Sequence, residues 1–235
     1  TGQGSALLNN MRELDITDID MIVFSHGHYD HTGGLSAYLS ALSHFCKEIY
    51  ASEHIFDKHL KKEGESFSYI GLQTERKEVE KLYNLHLNSD KTEISDNIFL
   101  SGSVKRFESF DADKLLYSEI DLVMQKDMFR DEQYLVVKTD SGIHVITGCT
   151  HCGAFNLIHD VRDKFHDEKI LSITGGLHMF RSTPDQVEQV VGFIESQQVG
   201  VVNTGHCTGL EASMLLRKRL GDKMNMTKVG AVYEF

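Results

Sequence analysis

The segment His26-Gly27-His28-Tyr29-Asp30-His31 gathers three imidazoles and a carboxylate within one short stretch. Imidazole nitrogen and carboxylate oxygen are ligands for zinc, iron and manganese. Read as an extended loop, the segment points His26, His28 and Asp30 one way and His31 another, because side chains alternate along extended backbone. One stretch then offers donors to two neighbouring ions: His26 and His28 to the first, Asp30 and His31 to the second. Three more histidines stand just beyond apolar runs. They are His151 in Gly148-Cys149-Thr150-His151, His178 in Gly175-Gly176-Leu177-His178, and His206 in Gly205-His206-Cys207-Thr208-Gly209.

These residues need elements to hold them. The apolar run Met21–Phe24 predicts a strand leading into the first segment, and the spacing from Leu35 to Cys46 predicts a helix leading out. Ser5–Leu14 reads as an amphipathic helix and Glu48–Ala51 as a short strand. Glu132–Lys138 and Ile143–Thr147, joined by Asp140-Ser141-Gly142, read as a hairpin. A helix from Ala154 to about Phe165 follows, then a strand over Lys169–Thr174. Thr183 as N-cap, Pro184 at N1 and Gln186 at N3 start a helix running to about Gln197. Val199–Asn203 reads as a strand, Leu210–Leu220 as a helix and Val229–Phe235 as a closing strand. The recurring strand, loop and helix, with histidines at the strand ends, argues for a layered α/β fold.

From Ser52 to Arg130 the pattern is weaker. Lys58–Glu65 reads as a charged surface segment, Glu75–Leu82 as a helix and Asn97–Leu100 as a strand. Phe107, Phe110, Leu115, Leu116, Tyr117 and Phe129 are scattered among charges, and the region is a candidate lid or dimer surface. His44, His54, His59 and His86 lie outside any ligand pattern and read as solvent-facing or structural. His144, His159 and His166 also read as structural. Cys149 and Cys152 form a C-x-x-C around His151. With His151 assigned to metal, these thiols, and Cys207 likewise, read as small loop residues.

The His26–His31 segment resembles the H-x-H-x-D-H signature of the metallo-β-lactamase superfamily. Gly148–His151 and Gly205–Gly209 are similar to that family's third-histidine and last-histidine motifs. Within the superfamily the wording is nearest to the branch of 7,8-dihydropterin-6-methyl-4-(β-D-ribofuranosyl)aminobenzene 5′-phosphate synthase-like proteins. The resemblance implies an αββα sandwich, a single domain over residues 1–235 with a lid or insertion around 52–130. It implies two divalent metal ions, zinc first, with iron or manganese also suited to the donors. His26, His28 and His151 would hold one ion, and Asp30, His31 and His206 the other. Two ions so held would supply a hydroxide nucleophile near neutral pH, and Asp30, close to both, would orient the water.

Two positions depart from or refine the pattern. Many superfamily members carry a bridging aspartate where this chain reads Thr174-Gly175-Gly176-Leu177-His178; His178 is the metal or substrate contact offered in its place. His28, rather than a glutamate, occupies the second position of the signature and favours hydrolytic or Lewis-acid chemistry over redox chemistry. In the resembled family a D-T-G motif preceded by opening strands corresponds to Thr1-Gly2-Gln3-Gly4. Those strands are absent from this sequence: either the N-terminus was cut or omitted, or the protein begins late, and if the strands are truly missing, one sheet edge is expected to be exposed and open to homodimer pairing.

The functional expectation is a hydrolase acting on an anionic, phosphorylated small molecule. Helix N-termini after Gly33-Gly34, Gly153 and Gly209 suit such a substrate. The alternatives are a transferase in pterin (methanopterin-type) biosynthesis and a non-catalytic metal-binding domain. Asp131, Glu132 and Gln133 are candidate substrate contacts, and Tyr69, Tyr117, Phe129 and Gln133 are candidates to line a pterin site. The 235 residues are 40% hydrophobic and carry a net charge of −11, which argues against nucleic acid as partner. No apolar run reaches the roughly 20 residues of a membrane helix. Four cysteines, three of them beside histidine motifs, point to a reducing, cytoplasmic setting rather than a disulfide framework.

Overall fold

A computed structural model of the chain describes residues 1–108 and 113–234. In chain order its first elements are α1 (Leu7–Glu13), β1 (Ile22–Val23), α2 (Tyr29–Leu42), β2 (Glu48–Ser52), β3 (Lys58–Glu63), β4 (Ser66–Tyr69), α3 (Arg76–Glu80) and β5 (Asn84–Asn88). Then come β6 (Thr92–Ser95), β7 (Ile98–Leu100), β8 (Leu116–Ile120), β9 (Val123–Lys126), β10 (Leu135–Thr139) and β11 (Gly142–Ile146). The last are α4 (Ala154–Phe165), β12 (Ile170–Thr174), α5 (Pro184–Ser196), β13 (Val201–Thr204), α6 (Leu210–Leu220) and β14 (Met224–Met226).

The elements divide into two compact units. The first comprises Thr1–Ser89 and Asp113–Glu132, the second Asp90–Ala112 and Gln133–Phe235. The first unit holds two sheets. One is all parallel, ordered β1-β2-β5, and the other is antiparallel, ordered β4-β3-β8-β9. Its core packs Phe24, Leu35, Leu42, Ile49, Ile55 and Tyr83. The second unit holds one mixed sheet of seven strands, ordered β14-β13-β12-β11-β10-β7-β6. Strands β11 to β14 run parallel, and the helices α4, α5 and α6 connect them in turn. Such connections are what parallel pairing requires.

Local chemistry explains most boundaries. Thr183 Oγ1 accepts from Gln186 N–H, and the Gln186 side chain accepts from Thr183 N–H, so α5 begins with a complete capping box and Pro184 inside its first turn. Leu157, Ile158 and Val161 of α4 are fully buried at helical spacing, which seats that helix on the sheet.

Several expectations are corrected. Helix α2 begins at Tyr29 rather than near Leu35, so Asp30 and His31 lie in its first turn and not in an extended loop. Thr32 Oγ1 donates to His28 O at 3.0 Å and reinforces that turn. Lys58–Glu63 is a strand, and its His59 is buried. Composition explains the misreading: three lysines and a glutamate flank the buried His59 and Leu60 within six residues, so the segment reads as surface charge. The closing strand is Met224–Met226, not Val229–Phe235. Phe110 and Phe235 lie outside the described residues.

Candidate metal centre

In the first unit the donors follow β1. His26 and His28 are buried, His28 as the N-cap residue of α2, whereas Asp30 and His31 are partly buried in its first turn. The rings of His26 and His28 stand 4.7 Å apart, and those of His26 and His31 4.2 Å apart. His31 Nε2 lies 3.6 Å from Asp30 Oδ2. The backbone at Gly27 packs closely, since a side chain there would meet Ile55 O at 2.7 Å. Asp131 Oδ2 accepts the Gly27 N–H at 2.5 Å and pins that segment.

Behind His28 stands an arrangement that the sequence does not announce. His59 on β3 bonds Asp127 Oδ2 through Nδ1 at 2.6 Å, and its Nε2 lies 3.2 Å from Asp131 Oδ2. The His28 and His59 rings meet edge to face at 5.1 Å. Burial opposes a charge on His59, but the Asp131 charge and the bonds from both carboxylates raise its pKa well above the usual imidazole value. Asp131 is held below the usual carboxylate range: burial works against its charge, and His59 and the Gly27 N–H prevail. Burial drives His28 down to about 4, with the His59 charge adding to it, so His28 is a neutral imidazole at pH 7. The second carboxylate oxygen of Asp131 is buried with no hydrogen-bond partner among the described residues. His28, His59 and Asp127 place one donor atom each within 4.8 Å of one another.

In the second unit the donors follow β11, β12 and β13. His151 and His178 are buried, with rings 4.2 Å apart. Neither nitrogen of His178 has a nitrogen or oxygen hydrogen-bond partner among the described residues. Thr150, His178 and His206 all adopt left-handed backbone, with φ of 57°, 48° and 49°. Thr150 Oγ1 donates to Gly176 O, and Thr208 Oγ1 accepts from Leu177 N–H, which ties the three loops together. Donor atoms of Cys149, His151 and His178 lie within 4.8 Å of one another, and so do those of Cys149, His206 and Cys207. The Cys207 thiol is drawn down to about 5, chiefly by its bond with Cys149, against burial and with help from His178.

Each unit therefore sets imidazoles at the carboxyl ends of parallel strands, where α/β folds bind ligands. Neutral buried imidazole, carboxylate with unused oxygen and thiol are donors that fit divalent metal ions. Sequence reasoning named His26, His28, Asp30, His31, His151, His178 and His206. It did not name His59 or Asp127, and it read Asp131 as a substrate contact, whereas this carboxylate turns to Gly27 and His59.

Residues 1–162 match the sequence profile of the metallo-beta-lactamase superfamily. The chain belongs to that superfamily. A solved structure described as a metal-dependent hydrolase of the β-lactamase superfamily is 30% identical, with a TM-score of 0.87 covering 100% of this chain and 87% of the other. The α/β fold is thus that of the metallo-β-lactamases. A 7,8-dihydropterin-6-methyl-4-(beta-D-ribofuranosyl)-aminobenzene-5′-phosphate synthase of Methanocaldococcus jannaschii is 27% identical over 97% of this chain and 80% of its own length. An uncharacterized protein of the same organism is 29% identical over 90% of this chain and 78% of its own length. In this metallo-β-lactamase homologue no helix among the described residues is long and apolar enough to cross a membrane.

Proposed function

We propose that this chain is a metal-dependent hydrolase acting on an anionic, phosphorylated small molecule. The metal ligands in this reading are His26, His28, Asp30 and His31 in the first unit and His151 and His206 in the second. His178 is a further ligand or a substrate contact. Zinc suits this donor set first, and iron and manganese also fit it.

The observation that carries the proposal is the same in both units. Buried imidazoles stand at strand ends immediately before α2 and α4, whose N-termini direct N–H groups and partial positive charge toward an anion. A divalent ion held by these donors would supply Lewis acidity and acidify water toward neutral pH. The chain contributes the rest. His28 is neutral at pH 7, the protonation state in which imidazole ligates a metal. Asp30, only partly buried, presents a carboxylate that can accept a proton from an incoming water. Asp131 and Thr32 hold the loop between β1 and α2 in shape.

The test pairs the metal content of protein purified without added metal with hydrolysis of generic phosphomonoesters and phosphodiesters before and after chelation. Bound metal with chelator-sensitive hydrolysis is the expected result. Asp30→Asn is expected to lose about 100-fold or more in turnover while the fold survives, and unchanged turnover would remove its role.

The similarity to the dihydropterin synthase supports a second reading, a transferase that joins a dihydropterin to a ribofuranosyl-aminobenzene phosphate. Bound metal, no phosphoester hydrolysis and formation of that joined product would favour it. Bound metal with neither activity would favour a non-catalytic metal-binding domain.

A further inference from the structure

We propose that Cys149 and Cys207 are thiolate ligands of a soft divalent cation in the second unit, with His206 as the imidazole ligand beside them. The inference shares His206 with the functional reading above and differs from it in donor chemistry. It rests on the way the fold pairs these cysteines. The C-x-x-C spacing suggests that Cys149 pairs with Cys152, but Cys152 belongs to the apolar core and its thiol is turned to Gly153 O at 3.6 Å. Cys149 is instead brought to Cys207, 58 positions away, whose thiol donates to Cys149 O at 3.4 Å. Gly176 makes the room, since any side chain there would collide with the Cys207 sulfur.

The sulfurs of Cys149 and Cys207 and a ring nitrogen of His206 lie within 4.8 Å of one another. Donors bound tetrahedrally to one zinc ion at about 2.0–2.3 Å stand about 3.3–3.8 Å apart, so a contraction of at most about 1.5 Å completes the site. His178 supplies an independent pointer. It is 8% exposed, its nitrogens lack nitrogen or oxygen partners among the described residues, and it shares a donor group with Cys149. An imidazole placed in that way matches a fourth ligand. Cys207 is partly exposed and His206 is exposed, which gives a cation a route in. Thiolate donors select zinc and other soft ions over magnesium or calcium. Both thiols lose their protons to solvent when the cation binds, and no electron moves.

The test titrates metal-free protein with Co²⁺ and records absorption. The expected result is a near-ultraviolet thiolate-to-cobalt charge-transfer band. In the C149S/C207S variant the band is abolished along with about one metal equivalent per chain; in His28→Ala it persists. Circular dichroism reports whether the double variant folds. A measurement on the unaltered protein stands beside it: zinc slows alkylation of Cys149 and Cys207 by iodoacetamide about tenfold or more, read by peptide mass spectrometry. Full cobalt binding without the band, or alkylation indifferent to zinc, overturns the proposal and leaves the hydrolase reading standing. The band together with absent phosphoester hydrolysis supports the proposal and overturns the hydrolase reading.

Discussion

The two units hold their donors in place by different physical means. In the first, a buried ion network does the work: His59 between Asp127 and Asp131, and Asp131 on the Gly27 N–H. Such a network stabilises only while every charge keeps its partner. In the second, Cys149, His151, His178, His206 and Cys207 offer imidazole and thiol donors, and the backbone supplies the positioning. Thr150, His178 and His206 sit in left-handed conformations that cost non-glycine residues about 1–3 kcal/mol each. Flanking glycines and threonine hydroxyls hold the loops against that cost. The contrast teaches that one fold can position candidate donors through electrostatics in one half and against conformational strain in the other.

The largest test of this contrast is Asp131→Ala. It leaves the buried, charged His59 short of one partner and orphans the Gly27 N–H, so stability should fall by about 3–5 kcal/mol in denaturant unfolding. A loss under about 1 kcal/mol would show that the network does not brace the first unit.

A somewhat smaller effect concerns acid. His28 has its folded pKa depressed to about 4 from 6.5. Its contribution is therefore complete above pH 6.5 and is lost as pH falls toward 4, because the unfolded chain takes up a proton that the folded chain refuses. Metal-free protein should lose about 3 kcal/mol over that range, and His28→Gln should flatten the curve. An unchanged pH profile in His28→Gln would place the acid sensitivity elsewhere.

The strain half of the comparison predicts a gain. His178→Gly relieves a left-handed histidine, so the metal-free protein should become more stable by about 1 kcal/mol while binding less metal. Lower stability in the metal-free state would mean that the His178 ring, and not its backbone, organises the loop. The smallest effect is a control away from both clusters. Thr183→Ala removes the cap of α5 and should cost about 0.5–1 kcal/mol without altering metal content, measured by thermal unfolding and metal analysis.

Much of the second unit was legible in the sequence. The capping box at Thr183, the hairpin turned at Asp140-Ser141-Gly142 and the apolar periodicity of α4 are local signals, and each reads out the same element in the fold. The first unit was less legible. In β3 charged residues outnumber His59 and Leu60 and the burial does not alternate, so the strand reads as surface charge. The start of α2 is hidden because Asp30, His31 and two glycines look like loop residues. Gly33 is there for close approach: a side chain on it would meet Gln3 O at 2.6 Å.

By itself the sequence offered a set of candidate donors and the strand-to-helix punctuation beside them, because ligand type and punctuation are written in neighbouring residues. Only the tertiary structure decided what stands behind them. His59 meets Asp127 across 68 positions, and Cys207 meets Cys149 across 58. Such pairings leave no periodicity in the chain. They arise when strands and loops far apart in sequence are closed onto a common core, and the free energy that selects them belongs to that core rather than to any segment of it.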